Sequence, residues 1–416
     1  MLGLLRTRPH FRRLWAAGAI SLVGDWLSFV AISLLTMRNE KSAIALGVMF
    51  MVTLLPRAMM SPFAGVLADR IDRRRILVGA SLLQAALTAA MVAAAASASI
   101  RVLFALMLVR AAASSLVTPA EAASIPRVVE ESEIGPANAL LSSMWSVTYI
   151  LGMALGGILA QLGPTLAIAL DGATFIAAAL LAAGLPPLVP TGAERDPPRD
   201  GRGGRAFARV GAELRDAWRT ATARPELLRA LFAKSLLALA TTTGWVVLNV
   251  VAGSEVLGPA ALSLGALQAV RGAGTGFGPV LFERLARGGA PYARLLDASF
   301  VVGLGAVIAF TLVRSPLAIG VLAFLWGTGS GANWVVSSTV IQKTAPDAVL
   351  GRVTALDDLA LTLVQSASAV GGAAMVDRVG NTPAVGVVAF LSATAWIGLT
   401  VVATLRVRPA QGDPTS

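Results

Sequence analysis

The chain is 416 residues long, 56% hydrophobic and only 14% charged, with a formal net charge of +11. A soluble domain is about 45–50% apolar and about 25% charged, so this composition excludes an ordinary water-soluble fold and points to the bilayer as solvent. Cysteine is absent, which excludes disulfides, thiol catalysis and thiolate metal sites, and the single histidine, His10, lies in the N-terminal tail, so proton chemistry within the membrane falls to carboxylates.

In chain order, Arg6, Arg8, Arg12 and Arg13 precede or open an apolar run that continues to Met37. The run is too long for the core of a signal peptide and no small-residue cleavage site interrupts it. It therefore predicts an uncleaved first transmembrane helix over 11–37. Further spans are predicted over 42–67, 76–97, 100–122, 137–161, 164–187, 226–252, 259–282, 293–313, 316–342, 353–376 and 382–405. Each approaches or exceeds the roughly 20 apolar residues needed to cross about 30 Å of hydrocarbon. Twelve crossings return the chain to its starting side. Of the Lys and Arg residues at the ends of the spans, 24 fall on the N-terminal side and 5 on the other (Arg38, Lys41, Arg101, Arg314 and Arg378). The positive-inside rule then places both termini in the cytoplasm of a plasma or inner membrane.

The expected organisation is a six-helix half over 1–187, a basic cytoplasmic linker over 188–225, and a second six-helix half with a short cytoplasmic tail over 226–416. The linker is rich in Arg, Pro and Gly and contains an amphipathic piece at 206–221. Its positive charge suits anionic headgroups rather than nucleic acid. The halves repeat. A shift of 214 aligns Arg57 with Arg271, Phe63 with Phe277, Asp69 with Glu283, Arg70 with Arg284 and Arg73 with Arg287. A shift of 216 aligns Ile125 with Ile341, Arg127 with Lys343 and Gly135 with Gly351. Six crossings per half give both repeats the same orientation, so the repeat is parallel.

After the second span come Gly65, Asp69, Arg70, Asp72, Arg73, Arg74 and Arg75. This run resembles the signature cytoplasmic motif of the major facilitator superfamily, with Asp72 where glycine is more usual. The resemblance implies an all-α membrane protein of twelve transmembrane helices in two parallel six-helix halves. It also implies a conformational latch at Gly65, Asp69, Arg70 and Arg73, with Glu283 and Arg284 as the repeat's counterparts. Asp69 can accept hydrogen bonds at the positive end of a helix, which in this family is the eleventh. The segments Thr118-Pro119-Ala120, Ser124-Ile125-Pro126-Arg127, Ala137-Asn138-Ala139-Leu140, Phe11-Arg12-Arg13-Leu14-Trp15 and Gly24-Asp25-Trp26-Leu27 resemble the macrolide-efflux and enterobactin-exporter branch, whose members are proton-driven exporters. Gly152-Met153-Ala154-Leu155-Gly156-Gly157 is similar to the antiporter motif, with Met153 at the usual proline. Small residues at 152 and 156 also suit close packing in any membrane bundle.

Charges inside the membrane each need a reason, since one near the bilayer centre costs at least roughly 2.5–3.5 kcal/mol on insertion scales. The candidates for proton coupling are Asp25, Arg110, Glu121 and Asp171. Arg110 matches the arginine that antiporters of this superfamily use in proton transfer, and Asp25 has the depth to be its carboxylate. A permanent structural pair of Asp25 with Arg57 or Arg110 is the other reading. Glu121 reads as a loop ion-pair partner or a second coupling carboxylate. Arg57 and Arg271, related by the repeat, suggest a shared structural role. Asp357 and Asp358 suit capping of the eleventh helix or pairing with loop arginines.

By family analogy the first, fourth, seventh and tenth helices line the substrate path. They carry Trp26, Phe29, Trp245, Asn249, Asn333 and Trp334, a set that suits a bulky, partly apolar ligand. Phosphate-loop, G-x-S-x-G and HExxH patterns are absent, so neither an ATP-driven pump nor an enzyme is expected, and no cofactor or metal is implied. The expected partners are a small-molecule substrate, protons and the bilayer, with the chain acting as a monomer. A lysophospholipid flippase, an importer and a non-transporting sensor are the alternatives.

Overall fold

The computed structural model describes residues 3–68, 71–189, 215–254 and 257–407, nearly all of them helical. Twelve long helices are labelled here in chain order: α1 Pro9–Glu40, α2 Ala43–Ala68, α3 Arg73–Ala96, α4 Ile100–Ser114 continuing as Val117–Val128, α5 Ile134–Leu162, α6 Pro164–Ala183, α7 Pro225–Gly253, α8 Ala260–Arg287, α9 Tyr292–Phe310, α10 Pro316–Thr344, α11 Asp347–Val379 and α12 Asn381–Val407. Each predicted span falls on one of them. Over the residues described in full, ten are long and apolar enough to cross a membrane by length and composition alone. Within α8, Gln268 and Arg271 interrupt the apolar stretch and lower the local hydropathy.

Helix boundaries follow from local chemistry. Proline occupies the first turn of α1, α6 and α10, where its missing N–H costs no intrahelical bond. Gly380, at φ 87°, takes a positive-φ conformation open to glycine that ends α11 before α12 begins. Asp72 caps α3 by accepting from the Arg74 N–H at 3.0 Å. The same carboxylate accepts from the Leu188 N–H at 2.9 Å, so it also ties down the segment that leaves α6. Glycine at this position could do neither.

The chain forms two compact units: Met1–Arg199 with Leu248–Gly272, and Asp200–Val247 with Ala273–Ser416. The first takes in the end of α7 and the beginning of α8 as well as the first six helices. The reason is steric. On α5, Gly157 approaches α8 so closely that a Cβ on Gly265 would lie 2.7 Å from the Gly157 Cα. Without a hydrophobic force between helices in lipid, such backbone contact is what packs them. In this unit α1 packs on α5 and α6, and α3 on α6 and α4. One end is filled by Phe11, Leu14, Ile76, Leu77, Ile125 and Leu185.

The second unit is built on the packing of α9 against α10. Phe300 stacks on Trp396 with centroids 4.7 Å apart. Residues 215–223 are helical and include 215–221, the described part of the predicted amphipathic piece; Ala217 and Ala221 pack with Leu227, Leu231, Ile341 and Val353.

Candidate functional site

In the first unit the buried charges converge. Arg110 on α4 donates to Asp171 on α6, and another of its nitrogens lies 3.2 Å from Asp25 on α1. It also reaches the Thr88 hydroxyl on α3 at 3.3 Å, and its guanidinium lies 5.5 Å from the Phe175 ring centroid. Asp171 is fully buried and accepts a second hydrogen bond, from Ser28. Its Oδ1 is buried with no hydrogen-bond partner. Arg57 approaches Asp25 more loosely, at 4.0 Å, and is 42% exposed. One guanidinium thus serves two carboxylates on different helices. Gly24 makes the approach possible, since a Cβ there would lie 2.6 Å from Asp171 Oδ1 and 2.1 Å from Thr174 Oγ1.

One residue on from Asp25, Trp26 opens an aromatic cluster. Its ring meets Phe29 (6.0 Å), Trp145 (5.8 Å) and Tyr149 (4.7 Å) edge-on, and Trp145 stacks on Tyr149 at 5.2 Å. Gly152 leaves room for Trp26, with a Cβ there falling 2.5 Å from the Trp26 Cβ. Tyr149 donates to Gln268 on α8 at 2.9 Å and receives a hydrogen bond from Arg271. The Arg271 guanidinium also lies 5.3 Å from the Tyr149 ring centroid. Arg57 thus faces a carboxylate, whereas Arg271 bonds Tyr149 and, at 3.0 Å, Gln268.

The remaining predicted residues are placed as follows. Trp245 is buried in the second unit and Asn249 in the first. Asn333 is buried and donates to Ser299 at 3.2 Å, which assigns it to the seam between α10 and α9. Trp334 is 49% exposed, and its ring centroid lies 5.0 Å from the Lys234 ammonium. Lys234 pairs with Asp357, both buried, and Asp357 Oδ1 has no hydrogen-bond partner. Asp357 lies ten residues into α11, so it is an interhelical counter-ion and not the helix cap expected from sequence. Glu121 packs over Gly18, where a Cβ would lie 2.9 Å from its Oε1, and it has no ion pair among the described residues.

Of the expected latch, Asp69 and Arg70 lie outside the described residues, and Gly65 is within α2. Arg73 is buried at the start of α3. Glu283 bonds Arg287 one turn on at 3.1 Å, both exposed, and Arg284 is exposed in the last turn of α8. Before the first span, Arg8 bonds Glu130 and, at 2.8 Å, Glu133, and those hydrogen bonds hold its guanidinium above its ordinary range.

Sequence reasoning missed Trp145, Tyr149 and Gln268. A signal existed for two of them: Trp145 and Tyr149 are four residues apart, hence on one helix face. Gln268 is a lone amide in an apolar run, and no motif or repeat marks it.

Three comparisons bear on this arrangement. Residues 14–369 match the family model described as Major Facilitator Superfamily. Macrolide efflux protein A of Streptococcus pyogenes is 29% identical over 151 residues, 36% of this chain and 37% of that protein. An uncharacterised MFS-type transporter of Bacillus subtilis is 31% identical over 157 residues, 38% of this chain and 37% of that protein. The alignments thus span little more than a third of these relatives. Among solved structures, a nucleoside transporter superposes with a TM-score of 0.72 at 12% identity, covering 94% of this chain and 99% of that one. A peptide transporter in complex with sulfate gives 0.71 at 14% identity, covering 95% and 94%. At such identities the likeness is one of fold.

Proposed function

Because the chain belongs to the major facilitator superfamily and is a multi-pass membrane transporter of that family, we propose that it exports a small amphiphilic compound, a drug or siderophore, by proton antiport. The observation that carries this reading is the sharing of Arg110 between Asp25 and Asp171. An arginine does not deprotonate in a protein, but its proximity decides which nearby carboxylate stays charged. A shift of Arg110 toward either carboxylate leaves the other to take a proton in a medium that penalises bare charge. A proton arriving from outside neutralises the carboxylate that the arginine has left, and its release inside restores the starting state.

Substrate binding falls to the aromatic cluster. Trp26, Phe29, Trp145 and Tyr149 present ring faces and edges for an apolar ligand, with Gln268 supplying polar discrimination. The partial likeness to macrolide efflux proteins supports export of such a compound. In this reading the chain sits in the plasma or inner membrane with both termini cytoplasmic, acts as a monomer, and works by alternating access of its two six-helix halves.

The test uses inside-out vesicles containing the protein under an imposed inward-acidic gradient. Accumulation of lipophilic drugs and siderophores is followed for the native chain, Asp25→Asn and Asp171→Asn. Gradient-driven accumulation that either substitution removes supports the antiport cycle. Accumulation untouched by both substitutions overturns the role given to Arg110 and its carboxylates. No accumulation of any compound under a verified gradient overturns drug and siderophore export for that panel and turns attention to lysophospholipid.

A further inference from the structure

A second site lies away from the central charges, where α7 and α9 begin and α10 ends. A cavity of about 270 Å³ opens there, lined among others by Glu226, Arg229, Tyr292, Ala293, Lys343 and Thr344. Three sources of positive potential face it. Lys343 lies 4.2 Å from the Tyr292 ring centroid and has no carboxylate within ion-pair distance among the described residues. Arg229 is buried, only 7% exposed, and engages Asp297 through one terminal nitrogen, while its Nε is buried without a hydrogen-bond partner. The third source is the N-terminus of α9, a 19-residue helix whose cap position is Pro291 and whose first turn receives no side-chain capping bond. The first N–H groups of a helix have no intrahelical acceptor and attract anions.

From this set of donors we propose that the cavity binds a phosphate group, supplied by the headgroup of a membrane phospholipid. At about 270 Å³ the cavity lies at the lower edge of the roughly 300–1,000 Å³ typical of pockets for drug-sized ligands, a size that suits a headgroup phosphate. The position decides for a lipid, because three membrane-spanning helices end here, at the level where headgroups lie. Leu296 and Val340 give the cavity an apolar wall against which the start of an acyl chain can lie. Lys343 and the α9 N–H groups take the phosphate oxygens, and Arg229 supplies charge from below. Glu226, on the same rim, receives the ammonium of an amine-bearing headgroup. Free phosphate has the same chemistry and is the competing source.

The experiment takes the full chain extracted from membranes in mild detergent and counts retained phospholipid by native mass spectrometry. Lys343→Gln removes the exposed cation, and Ala293→Trp fills the cavity without touching a charge. Either substitution is expected to lower retention about tenfold, the size of one lost charge-assisted bond. Retention equal in the native chain and both variants overturns the proposal. Excess inorganic phosphate that strips the lipid from the native chain reassigns the site to the free anion, whereas lipid that resists it confirms the headgroup. Preference for ethanolamine over glycerol headgroups in mixed nanodiscs supports the role of Glu226, and equal uptake of both overturns that role.

Discussion

The two units handle buried charge in different ways. In the second, Lys234 pairs with one carboxylate, Asp357, with Asp358 next to it in the chain but outside ion-pair distance. In the first, a single guanidinium, Arg110, is divided between Asp25 and Asp171, with Arg57 at the limit of ion-pair distance. A closed pair has one good arrangement and changing it leaves two bare charges, which suits a structural clasp. A divided cation has two arrangements of similar composition, which suits a switch. The difference lies in stoichiometry, not burial, since Asp171 and Asp357 are both almost wholly inaccessible.

The comparison can be broken at several points, beginning with the largest effect. Arg110→Gln strips the cation that Asp25 and Asp171 share and leaves only the looser Arg57 contact, at 4.0 Å, to Asp25 among the described residues. It is expected to cost about 3–5 kcal/mol or more and to abolish gradient-driven accumulation. A variant that melts like the native chain in detergent and still transports would remove the switch from the argument. Lys234→Met should cost a comparable 3–5 kcal/mol by orphaning Asp357. Adding Asp357→Leu should return thermal stability close to native, because well-packed apolar residues often replace a buried pair at no loss. Failure of that rescue, measured by melting, would show that the pair is more than a clasp.

Smaller effects sharpen the picture. Gly24→Ala brings a methyl into Asp171 Oδ1 and Thr174 Oγ1, with an expected loss of about 1–3 kcal/mol from overpacking. The informative result is a larger fall in transport than in folded yield, since the methyl pushes directly on the divided cation's partner. Glu283→Gln should shift melting by no more than about 0.5 kcal/mol, as the Arg287 pair is exposed and lies within one helix. A larger loss would mean that Glu283 has a role beyond its helix.

Much of the candidate site was legible as a list of residues. Asp25, Arg110 and Asp171 announce themselves because a charge in an apolar run is costly and rarely idle. Their partnership was not legible, since 61 positions separate Arg110 from Asp171 and 143 separate Ser28 from Asp171. Asp357 was misread for the same reason. Near the start of a predicted span an acidic residue looks like a cap, and only the path of α7 past α11 brings Lys234 to it. Asn333 was legible as a buried amide, but its bond to Ser299 on α9 was not. The aromatic cluster was half visible: Trp26 and Phe29 share a face of α1, but Gly152 decides that α5 comes close enough to add Trp145 and Tyr149.

What the sequence by itself determined was the set of helices, their lengths, and the asymmetry of basic residues at their ends. In hydrocarbon every backbone polar group must be satisfied within its own segment, so spanning structure is a local property that an apolar run announces. What only the tertiary structure decided was which helix faces meet, and therefore which charge answers which. Rotation about a helix axis and closeness of approach depend on small residues such as Gly24, Gly152 and Gly157 matching surfaces far away in the chain, and nothing local encodes that match.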